Sequence, residues 1–109
     1  MNGGAHADFC LPFQEYIVVV DNAPSDAFAH AKELFEKLGS RLGNVPLGDE
    51  GGYAPTFGSI EEPFEILSEL IRDYPDMSLA IDAAANELYK DGAYELLGTR
   101  YSSTELNEL

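Results

Sequence analysis

Three polar clusters carry the chemistry open to this chain. They are Asn2-Gly-Gly-Ala-His-Ala-Asp8 with the following Gln14-Glu15, then Gly48-Asp-Glu-Gly-Gly52, then Asp82 at the end of the apolar run Ser78-Leu-Ala-Ile. Carboxylates without a compensating lysine suit a divalent metal bound through oxygen ligands. Taken singly, each feature also has a plainer reading. His6 is then an ordinary loop histidine, Asp82 a helix cap, Gly51-Gly52 a turn and Asp49 a residue that shapes its loop.

The intervening sequence supplies the elements that must position these groups. Tyr16-Ile-Val-Val-Val20 is continuous and β-branched, which predicts an interior strand covered on both faces. Phe28, Ala31, Phe35, Leu38 and Leu42 recur at helical spacing, with Ser25 as the expected N-cap and Gly39 or Gly43 as the stop. The Gly- and Pro-rich stretch 43–58 reads as a loop. Ser59-x-x-Glu62 has capping-box spacing and opens a second helix, with Ile60, Phe64, Leu67, Ile71 and Tyr74 as its apolar stripe and Glu62, Glu65, Glu69 and Asp73 on the solvated face. Ser78–Asp82 is the second expected strand, and Asp91-Gly92 predicts a hairpin turn within 87–95. Strands alternating with helices imply a β/α architecture, in which functional groups gather at the C-terminal ends of strands and in the loops that follow.

Composition narrows the class. The 109 residues carry a formal charge of −14, with only six basic residues. Lys32, Lys37, Arg41, Arg72, Lys90 and Arg100 are scattered, which argues against a nucleic-acid binder or a polybasic membrane patch. Cys10 has no partner for an internal disulfide and no ligand spacing for zinc; with Phe9 and Phe13 it reads as a packing residue. No apolar stretch is long enough to span a bilayer and no signal-peptide pattern opens the chain, so a cytoplasmic location is expected. Ser102-x-x-Glu105 starts a helix with room for about one turn, and Asn2-Gly3-Gly4 follows Met1 without an anchoring element. Both ends therefore read as cut.

In their order along the chain, these motifs resemble enolase, the phosphopyruvate hydratase of glycolysis. Asn2-Gly-Gly-Ala-His-Ala-Asp8 is similar to the family's mobile active-site loop, Gln14-Glu15-Tyr16 to its Gln-Glu-Phe strand start, and Gly48-Asp-Glu-Gly-Gly-Tyr-Ala-Pro55 to its Gly-Asp-Glu-Gly-Gly-Phe-Ala-Pro loop. Leu79-Ala-Ile-Asp-Ala-Ala-Ala-Asn-Glu-Leu-Tyr89 resembles the strand that carries the first magnesium ligand. Phe9-Cys-Leu-Pro12 and Val20-Asp-Asn22 depart from the family pattern.

The resemblance implies an α/β fold, a partial enolase-type β/α (TIM-like) barrel, with residues 1–109 as a single partial domain from the early part of the C-terminal catalytic barrel. It implies that Asp82 coordinates Mg2+, that Glu50 belongs to the acid machinery at the leaving hydroxyl, that Glu15 assists there, and that His6 and Gln14 contact substrate together with Glu15. The parent reaction is the dehydration of 2-phosphoglycerate to phosphoenolpyruvate by a dimeric lyase. The N-terminal domain, the remaining barrel, the other metal carboxylates, the base lysine and the phosphate-holding basic residues would lie elsewhere. A complementary fragment is one expected partner; the alternative is a non-catalytic acidic module kept for metal binding or association. In either case His6, Glu15, Glu50 and Asp82 are expected to converge on one end of two strands and two long helices.

Overall fold

The computed structural model describes residues 1–109. Its centre is a two-stranded antiparallel ribbon of β1 (Glu15–Val20) and β2 (Met77–Asp82), paired in register from Glu15 opposite Asp82 to Val20 opposite Met77. Between them in sequence come α1 (Pro24–Leu42) and α2 (Glu62–Ile71). Tyr16, Val18 and Val20 turn one face of β1 toward Ala31, Leu34, Leu38 and Leu67 of these helices. Ile17 and Val19 lie on the other face by strand alternation, and Val19 is exposed. The apolar run of β1 is thus covered on one face within this chain rather than on both. Its edge away from β2 is met at its start by Met1, which exchanges hydrogen bonds with Tyr16, and by the bridge of Asn2 to Glu15.

The helices start by different chemistry from that expected. Pro24 occupies the first turn of α1, where a missing N–H is harmless, and Ala23 rather than Ser25 is the N-cap. The Asn22 side chain instead accepts from the Ala23 N–H at 2.8 Å. Gly43, at φ 74°, ends the helix and donates to the Gly39 carbonyl. Phe28 is 73% exposed, so only Leu34 and Leu38 of α1 are buried. In α2 the expected capping box does not form, because Ser59 turns to the N–H and carboxylate of Glu61 and the helix begins at Glu62.

The core collects Leu11, Phe13, Tyr16, Leu38, Ile60, Leu67, Leu88 and Leu96. Phe13, Tyr16 and Phe64 form an aromatic cluster with ring centroids 5.1 to 6.4 Å apart. Burial pushes the Tyr16 phenol up to about 12, a shift offset in part by its hydrogen bond from the Phe13 N–H. Cys10 is partly buried and desolvation raises its thiol, in keeping with a packing role, whereas Phe9 is 50% exposed.

Beyond β2 come α3 (Ala85–Leu88), then a three-stranded meander of β3 (Tyr89–Lys90), β4 (Ala93–Leu96) and β5 (Thr99–Tyr101), then α4 (Ser103–Asn107). Asp91-Gly92 makes the expected hairpin turn, with both residues at positive φ. Leu97-Gly98 repeats that conformation and creates β5, an element with no expected counterpart. Leucine is a poor residue for this backbone, which is why the turn escapes the sequence signals. The Ser102/Glu105 capping box of α4 is present in both directions. No closed barrel forms, and the radius of gyration of 14.6 Å exceeds the roughly 13 Å of a compact domain of this length.

Candidate active site

Antiparallel pairing decides where the site lies. Glu15 opens β1 and Asp82 closes β2, and the register sets them directly opposite one another. In a parallel pair they would occupy opposite ends. Cross-strand partners share a face at close Cβ separation, and two like charges there are unfavourable unless a cation joins them.

The chain before β1 folds back onto this end. Gly3 donates its N–H to the Gln14 carbonyl at 2.9 Å, and Asn2 bridges Glu15. A single turn of 3-10 helix at Gly4–Ala7 then presents His6. From the other side comes the loop 48–52, closed by the Gly51 N–H on the Gly48 carbonyl at 3.0 Å with Gly51 at φ 80°. Asp49 and Glu50 stand at its tip. Tyr53 anchors this loop by stacking on Phe35 of α1 at 4.5 Å. Gly39 permits the approach, since a Cβ there would lie 2.2 Å from the Tyr53 hydroxyl.

The two tip carboxylates diverge. Asp49 reaches the His6 Nδ1 at 3.1 Å, and its N–H donates to the His6 carbonyl at 3.3 Å. Glu50 accepts from the Asn2 side-chain amide at 2.8 Å. A cleft of about 210 Å³ has Glu15 and Glu50 on its wall together with Asn2 and Gly52. His6, Gln14, Glu15, Glu50 and Asp82 therefore gather at one end of the ribbon. Asp82 Oδ1 also accepts from the Ala84 N–H at 3.0 Å, so this residue caps the following turn as well as facing Glu15. Asn2 and the pairing of Asp49 with His6 are contributions that residue type alone did not single out; the signal for Asn2 was the glycines at 48 and 52 that make room for it.

The hydrogen bond that His6 Nδ1 donates to the Asp49 carboxylate, then the charges of Asp49 and Glu50, hold the imidazole protonated above its ordinary range near 6.5. Because the folded value lies above the unfolded one, the pair contributes fully below that range, and the contribution fades as pH rises through the raised value. Asp49→Asn is expected to bring the His6 titration, followed by the imidazole proton shifts in NMR, back toward 6.5. An unchanged midpoint would show that Asp49 does not set the charge of His6.

The donor set at this end consists of carboxylate oxygens, which fits a hard cation such as magnesium. Asp82 and Glu15 face each other across the ribbon, and no three His, Cys, Asp or Glu side chains are grouped to form a cage. The paired lysines and arginine stand on the helices, Lys32 and Lys37 with glutamates of α1 and Arg41 with Glu69, whereas the Met1 amine lines the cleft beside Glu15.

Comparison with known proteins gives the family. Residues 1–109 match the family described as enolase, C-terminal TIM barrel domain. The chain is 38% identical to the enolase of Ehrlichia canis over 119 residues, covering 99% of this chain and 28% of that protein. It is 38% identical to the enolase of a Nitratiruptor species over 121 residues, covering 99% of this chain and 29% of that protein. The chain thus spans under a third of the length of these relatives. On a match along its whole length, and with the motif residues assembled at one end of its strands, the chain belongs to the enolase family, in the C-terminal TIM barrel domain.

Proposed function

We propose that this chain provides the acid-bearing part of an enolase active site, which dehydrates 2-phosphoglycerate to phosphoenolpyruvate in cytoplasmic glycolysis. The observation that supports the reading best is the shared cleft of Glu15 and Glu50 at the strand end that also carries Asp82. Glu50 delivers a proton to the departing hydroxyl, which leaves as water, and Glu15 assists from the same cleft. His6 and Gln14 contact the substrate. Asp82 is the metal ligand, and Mg2+ bound there supplies electrostatic stabilisation to the charge that builds when the proton α to the carboxylate is removed. The base that removes that proton and the residues that grip the phosphate come from outside these 109 residues, either from the same longer enzyme or from a complementary fragment, and the parent enzyme pairs with a second copy as a dimer.

A non-catalytic acidic module, kept for metal binding or for association with another chain, is the competing reading. Formation of phosphoenolpyruvate by the reassembled enzyme, abolished by Glu50→Gln, separates the two. Metal affinity gives a second measure. One dedicated carboxylate leaves magnesium largely hydrated, so calorimetric titration of the chain with magnesium should show weak binding that Asp82→Ala removes. Tight binding that survives Asp82→Ala would contradict the assignment of the ligand.

A further inference from the structure

We propose that Asn2 is a positioning residue for Glu50, holding that carboxylate in the cleft through a neutral amide. Glu50 is exposed at the tip of its loop, where a free glutamate samples many rotamers. Asn2, by contrast, is 4% exposed. Its backbone N–H donates to the Tyr53 carbonyl at 2.9 Å, and its bridge to Glu15 ties it to β1. The Oδ1 accepts from the Gly52 N–H at 2.6 Å, which fixes the amide orientation and turns Nδ2 toward Glu50 Oε2 at 2.8 Å. Gly52 and Gly48 are shaped to this side chain: a Cβ at Gly52 would lie 2.4 Å from Asn2 Oδ1, and one at Gly48 2.9 Å from Asn2 Cβ. A buried, doubly engaged amide thus spans 48 positions of sequence to hold one exposed carboxylate.

The chemistry of the amide matters as much as its place. Asparagine carries its acceptor and its donor on separate atoms of one planar amide, so it accepts from the Gly52 N–H through Oδ1 while Nδ2 donates to the carboxylate. Aspartate would keep the first contact and turn the second into a repulsion. Lysine would orient Glu50 but hold it ionised, which defeats a group that must release a proton to a leaving hydroxyl. The inference rests on the proposed acid role of Glu50 and adds the residue that aims it.

Two measurements test it. In the isotope-labelled 109-residue chain, the Asn2 side-chain amide should exchange at least tenfold more slowly than those of Asn22, Asn44, Asn86 and Asn107, and Glu50→Ala should remove part of that protection. Protection unchanged by Glu50→Ala would overturn the contact. In enzyme reassembled with the polypeptide that supplies the remaining domain, Asn2→Asp should lower kcat at least tenfold while KM for 2-phosphoglycerate stays within about twofold. In the Glu50→Ala background, the same substitution should cause little further loss. An equal loss in both backgrounds would mark a merely structural role and overturn the proposal. If the reassembled wild type forms no phosphoenolpyruvate, the reading of the active site fails, and the exchange measurement alone decides whether Asn2 holds Glu50.

Discussion

A polypeptide of these 109 residues, supplied with saturating magnesium and 2-phosphoglycerate, is expected to form no phosphoenolpyruvate. Mixed with a polypeptide supplying the absent portions, the N-terminal domain and the rest of the barrel, it is expected to become active, and Glu50→Gln in the mixture should lower kcat by about 10²- to 10⁴-fold, the usual contribution of a positioned acid or base. The reason lies in where the basic groups stand. The abstracted proton needs a base within hydrogen-bond reach, yet Lys32 and Lys37 are paired on α1 and His30 is held by Asp76 away from the cleft. Lys90 belongs to β3 beside the hairpin turn. The open ribbon adds to the deficit, because an unpaired strand edge and an uncovered face cannot keep charges preorganised. Turnover by the chain alone, lost on Glu50→Gln, would refute this account.

The second large effect is on stability. Leu67 is 2% exposed and sits where α2 meets Tyr16, Val18 and Leu38. Truncating such a leucine leaves a cavity and costs about 2–5 kcal/mol. Only 17 of 109 residues are buried, so the reserve of stability should lie toward the low end of the usual 5–15 kcal/mol or so. Leu67→Ala is therefore expected to abolish the cooperative urea transition, followed by circular dichroism because the chain has no tryptophan. Leu109→Ala, at a 59% exposed position, should shift the midpoint little. A Leu67→Ala transition within about 1 kcal/mol of the wild type would mean that the helices are not held by this contact.

What the sequence determined by itself is what neighbouring residues decide among themselves. Asp91-Gly92 specifies its turn because two adjacent backbones must reach positive φ, which glycine does freely and aspartate tolerates. Ser102 and Glu105 cap α4 because the two groups lie within one turn of each other. The strand limits and the ordered motifs at 2–8, 14–16, 48–55 and 79–89 were likewise legible, and with them the family. Even locally, two competitors fall close together: Pro24 takes the start of α1 from Ser25, and Glu61 takes the Ser59 hydroxyl from the expected box.

How the motifs meet was set by long-range packing. The antiparallel pairing of β1 with β2 places Glu15 opposite Asp82 across 67 positions, whereas the apolar run of β1 predicted only a strand covered on both faces. His6 finds Asp49 across 43 positions and Asn2 finds Glu50 across 48. Such contacts depend on closing long loops and on where Tyr53 docks against Gly39 and Phe35, and loop closure is governed by chain entropy and packing rather than by the identity of the residues at its ends. The sequence could name the acid groups, but the packing of the loops decided which of them is held, and by what.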